Sequence, residues 1–86
     1  MRFRKDAYYI DTETVGFHGL AVLIQYAYED GDVVLHNLWD VPVQDTLDLI
    51  ERLMASTCVF FNATYDQFHL CKIYTMWSLL PRDAIP

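Results

Sequence analysis

Apolar positions along this chain gather in short continuous runs near the N-terminus and in helically spaced stripes further on. Ala7 to Thr12 reads as a first strand with an acid at its exit, and Leu20 to Tyr28 as a longer second one. The Glu29-Asp30-Gly31-Asp32 segment follows, and its Asp-Gly pair is a strong hairpin signal. Val33 to Leu38 is then the returning strand, so the first half predicts a three-stranded antiparallel meander.

The period changes after Pro42. From about Thr46 to Met54 the apolar residues Leu47, Ile50, Leu53 and Met54 fall on one helical face, while Asp48, Glu51 and Arg52 face water. Asp45 suits the N-cap of this helix. Cys58 to Phe61 predicts a short, buried fourth strand, parallel to the first because a helix connects them. A second helix is expected from Asn62–Thr64 to about Tyr74 or beyond. Thr64 with Gln67 fits a capping box there, and Asn62 is the competing cap. Past Trp77 the chain runs through Pro81 to Pro86 without a closing element, so a cut fold is expected.

The order βββαβα sets the ends of the first and fourth strands side by side, where ligands of open α/β sheets collect. Asp11 and Glu13 leave the first strand at that rim, just ahead of Gly16, and Asp66 follows the fourth strand. Asp66 heads an apolar stripe with Leu70, Ile73 and Trp77, and an acid in such surroundings needs a partner. Three carboxylates converging at one rim repel one another unless a cation neutralises them. An all-oxygen ligand set selects Mg2+ or Mn2+ over zinc. An Asp-x-Glu pair alone is a weak signal, and Asp66 also suits the dipole at a helix start.

Composition narrows the class. At 86 residues the chain is one small domain or a piece of a larger one. Its 53% hydrophobic and 15% aromatic content exceeds what so small a core needs, so part of this surface is expected to be covered by something else. A net charge of -6 excludes a broad basic face for nucleic acid, but not phosphate contact through bound cations. Arg2, Arg4 and Lys5 form the one basic cluster and read as a solvated tail. Cys58 and Cys71 show no metal spacing and read as buried reduced thiols; His18, His36 and His69 fit no zinc pattern. Neither a secretory signal nor a membrane-spanning run is present, so a cytoplasmic location is expected.

Two segments then stand out together. Asp11-Thr12-Glu13-Thr14-x-Gly16 with Leu23-Ile24-Gln25 resembles the first motif of the DEDD superfamily of 3'-5' exonucleases. Phe60-Phe61-Asn62-Ala63-Thr64-Tyr65-Asp66-x-x-x-Leu70 resembles the second, in the right order and spacing. The proofreading domain of family A, phage-type DNA polymerases is the nearest likeness, over about Tyr8 to Tyr74.

The resemblance implies a ribonuclease H-like mixed sheet, truncated here, and a two-metal hydrolysis of phosphodiesters at DNA 3' ends. It implies that residues matching Asp11 and Glu13 hold one Mg2+ or Mn2+ ion, and those matching Asp11 and Asp66 the second. Thr14 and Asn62 would lie near the terminal nucleotide of a single-stranded DNA end, although a helix cap is equally adequate for Asn62. Phe17, Phe61 and Tyr65 are expected in core packing, with stacking on unpaired bases as the alternative. The family's third motif, with its fourth carboxylate, has no counterpart after Tyr74. The incomplete shell is thus expected to bind the catalytic ion weakly, and the fragment to be inactive or completed by the rest of a polymerase or another chain. The alternatives are an inactive nuclease fold serving as a protein-interaction module, and another nuclease of the same fold.

Overall fold

The computed structural model describes residues 6–16, 19–29 and 31–86. Phe17, His18, Asp30 and the basic cluster Arg2, Arg4 and Lys5 lie outside the described residues. The elements run β1 (Ala7–Thr14), β2 (Ala21–Tyr28), β3 (Val34–Asn37), α1 (Val43–Met54), β4 (Thr57–Phe60) and α2 (Ala63–Trp77). They build a small α/β fold with one mixed sheet in the order β3-β2-β1-β4. The meander is antiparallel, and β4 joins β1 in parallel from Ala7↔Thr57 to Ile10↔Phe60, as the helical connection predicts.

Alternation along β1 divides its side chains between two environments. Ile10 meets Ile24 of β2 on the side packed by the helices, where Leu47, Ile50, Leu53, Leu70 and Ile73 close the core. Each such side chain stabilises the fold by about 1.5–3 kcal/mol through burial. Trp39 locks the end of the meander: its indole N–H donates to the Ala21 carbonyl at 3.0 Å, and its ring meets Trp77 edge-on at 5.0 Å. Tyr9, Asp11 and Glu13 point to the other side. There Val33 and Leu35 are each 63% exposed and Phe61 84%, so no described element covers that face.

Local expectations are corrected at both helices, at β4 and at the cysteines. Helix α1 begins a turn earlier than the apolar stripe suggested, with Pro42 as N-cap and Asp45 only in its first turn. The reason is non-local: the Val43 and Gln44 N–H groups donate to the carbonyls of Ala84 and Arg82, at 2.8 and 3.0 Å. The C-terminal segment thus satisfies donors that a side-chain cap would otherwise take. Arg82 in turn donates to the Ser78 and Leu80 carbonyls just past α2, so one short segment serves both helices. Met54 is 59% exposed rather than part of the buried stripe, because Leu49 and Leu53 fill the inward positions.

Strand β4 is half-exposed rather than buried, since it forms one edge of the sheet. Cys71 is exposed, while Cys58 is half-buried and donates to the Leu53 carbonyl at 3.0 Å. At the second helix Asn62, not Thr64, is the cap, accepting from the Tyr65 N–H.

His36 faces the helices from β3 and its Nε2 pairs with the buried Thr46 hydroxyl at 2.8 Å. Burial pushes its imidazole below the ordinary value, with Asp45 opposing and Arg52 reinforcing the shift. The folded state therefore holds this proton less tightly than the unfolded chain. Its contribution is complete above the ordinary value of 6.5 and is lost as pH falls through the lowered one. Denaturation midpoints should fall between about pH 7 and about pH 5. His36→Gln, which keeps a partner for Thr46, should flatten part of that slope; an unchanged slope in the variant would contradict the assignment.

Removing residues 81–86 should cost about 1–2 kcal/mol in urea denaturation, because two N–H groups at the start of α1 lose their carbonyls.

Candidate active site

The two acidic motifs meet at the end of β1, and a single side chain joins them. Asp66 is 1% exposed, one turn into α2. Its Oδ1 accepts from the Thr12 backbone N–H at 3.2 Å and from the Thr12 hydroxyl at 2.6 Å. Its Oδ2 accepts from the Asn62 N–H at 3.2 Å. The β1–β4 pairing ends at Ile10↔Phe60, so these N–H groups lie just beyond the last pair of the ladder. The carboxylate takes the place of the carbonyls that a longer β1–β4 ladder would have offered. Three donors make burial of this acid tolerable.

Thr12 lies between Asp11 and Glu13, so alternation sends its side chain to the helical side and theirs to the open side. Asp11 is half-buried and Glu13 exposed. Asp11 lines a shallow groove of about 440 Å³ with Tyr9, Gln25, Ala27, Val33 and Phe61. Among the described residues, Asp11, Glu13 and Asp66 do not come together as one three-acid group. Asp11 and Glu13 are brought together, and Asp66 stands behind them across the strand.

The other substrate candidates flank this rim. Thr14 returns to the helical side, where its hydroxyl pairs with the Tyr65 phenol at 2.7 Å and also donates to the Gly16 carbonyl. The chain then turns at Gly16, whose φ of +73° is costly for any side chain. It returns at Gly19, where a Cβ would lie 1.5 Å from the Val15 carbonyl oxygen. Asn62 is exposed, but its side-chain oxygen is committed to the helix cap. Phe61 is outside the core and open to solvent beside Asp11.

Charge is unevenly divided between the two layers. Arg52 reaches the Tyr26 hydroxyl and Lys72 lies over the Phe68 ring, both on the helices, while Arg82 caps α2. These are the described lysines and arginines, and none of them serves the open face, where Asp11, Glu13 and Glu29 sit. Next to Asp66, burial and Lys72 lower the His69 pKa, with Asp66 opposing.

No protein family, curated protein or solved structure matches this chain. The site therefore stands on its own geometry.

A hard cation commonly takes one or two carboxylates and completes its shell with water and phosphate oxygen. Asp11 and Glu13, on one strand face, fit that demand for a single Mg2+ or Mn2+ ion. Asp66 fits it only if its bonds to Thr12 are released. Thr12 itself was missed in the sequence, although its place between two outward acids and opposite a buried one was the available signal.

Thr12→Val keeps the shape but removes one of the three donors to a buried carboxylate. We expect a loss of about 1.5–3 kcal/mol in urea denaturation, with Thr12→Ser retaining most of the stability. Equal stability of wild type and the valine variant would show that the hydroxyl contributes nothing.

Proposed function

We propose that this chain is part of a metal-dependent 3'-5' exonuclease domain with a ribonuclease H-like sheet, acting in the cytoplasm on single-stranded DNA 3' ends. The reading assigns it to the proofreading type found in phage-like family A polymerases. The observation that carries it is the junction of the two motifs: Thr12, between the paired acids, is hydrogen-bonded to Asp66 of the second motif. That contact sets the two segments side by side at the end of β1.

In this reading Asp11 and Glu13 hold the catalytic ion on the open side of the strand. Bound there, the ion would supply an activated hydroxide and offset charge developing on the phosphate. Without it the acidic rim repels a phosphodiester. Asp66 fixes the strand that carries the pair, and joins a second ion where its bonds to Thr12 give way. Thr14 and Tyr65 shape the edge next to the terminal nucleotide, and Phe61 offers an exposed ring for a frayed base. Asn62 holds the start of α2 and so keeps Asp66 in register. The fourth carboxylate of the family has no counterpart in these residues; a polymerase remainder or a second chain would supply it.

The test is release of mononucleotides from single-stranded DNA in Mn2+. Wild type should release them slowly, and Asp11→Ala should be slower by about a hundredfold or more. No release by wild type, or equal release by both proteins, would dismiss catalysis by this chain.

A further inference from the structure

The open face of the sheet has an order of its own. Register aligns Val59 with Tyr9 and Tyr9 with Ala27, and Val33 continues the row from just before β3. This first row, from β4 through β1 and β2 to Val33, is apolar apart from the Tyr9 hydroxyl. The next row is Leu35, Gln25 and Asp11, with Phe61 beyond, and the third is Asn37, Leu23 and Glu13. Apolar character thus grades into acid towards the rim, and Glu29 borders the opposite end of the groove. Val33, Leu35, Val59 and Phe61 are 63%, 63%, 38% and 84% exposed. A contiguous patch of this kind marks an interaction surface more often than scattered apolar residues do.

We infer that this face docks a separate polypeptide: a cationic amphipathic helix whose apolar stripe covers the first row and whose lysines or arginines meet Glu29 and the acidic rim. Charge selects the partner. The described cations all lie on the helical layer or at its end, so the face offers carboxylates with no positive counterpart among the described residues. A second copy would set these same acids against each other. Nucleic acid and anionic lipid are repelled by the same charges.

Geometry selects a helix. An extended segment laid over the face of a sheet would leave its backbone donors and acceptors unpaired, whereas a helix satisfies its own. Four strands at about 4.8 Å spacing present a row about 14 Å long, which about ten helical residues span. The tail that ends at Pro86 is bound to the start of α1 in the helical layer, so no described segment competes for this surface.

The helix's cations would compete with the proposed ion for Asp11 and Glu13, so the test of docking omits metal. The probe is a labelled 14-residue Leu/Lys peptide patterned as one apolar stripe, followed by fluorescence anisotropy in EDTA. Controls are its Leu/Glu counterpart and a Leu/Lys peptide of scrambled order. The patterned Leu/Lys peptide should bind, more weakly as salt rises, and about tenfold or more tighter than either control. The double variant Val33→Ser/Leu35→Ser alters exposed positions only, with folding checked by circular dichroism. It should lose about tenfold in affinity, and Glu29→Gln about threefold. Absence of binding, equal binding of patterned and scrambled peptides, or undiminished binding by the double variant would overturn the inference. So would a concentration-dependent dimer that the double variant abolishes, since a second copy would then be the occupant.

Discussion

The buried carboxylate of Asp66 ties together the parts of this fold that hydrophobic packing alone would leave loose. Sheet pairing between β1 and β4 stops at Ile10 and Phe60, just short of the acidic rim. Beyond that point the two chain segments are joined through Asp66, which gathers two donors from Thr12 and one from Asn62. A side chain here does the work of backbone. The start of α2 and the end of β1 are consequently fixed to one another, and with them the direction in which Asp11 and Glu13 leave the strand. Removing a donor is costly because the charge it serves has no water to turn to.

The same strand separates two kinds of chemistry by one residue. Positions facing the helices carry Ile10 and Thr12 and belong to the interior. Positions facing outward carry Tyr9 and Asp11, which line the groove, and Glu13 at the rim. Period-two alternation is the whole cause. The acid pair is thus held from behind by a network it does not touch. Rigidity at the rim comes from the helical layer, and exposure comes from the uncovered layer.

Much of this was legible in the chain itself. Continuous apolar runs and the Asp-Gly turn specified the meander, and the helical connection specified a parallel β4. The stripe Asp66, Leu70, Ile73 and Trp77 identified the inward face of α2, and all four are buried. What the pattern could not reveal was non-local. The start of α1 depends on carbonyls nearly forty positions away, so Asp45 was mistaken for its cap. Met54 has a helical period suited to burial, but Leu49 and Leu53 already occupy the space. The partner of Asp66 was also out of reach of spacing rules, because a carboxylate may be neutralised by a cation or satisfied by donors. Here two of the three donors belong to Thr12, the residue between the two acids that had drawn attention.

The segment after α2 has a further consequence for how the molecule opens. Its carbonyls close the start of α1, while its arginine closes the end of α2. Opening of this segment cannot remain a local event, since it releases the start of α1 and the end of α2 together. Residues 81–86 and the first turn of α1 open as one cooperative unit, although some forty positions of chain lie between them.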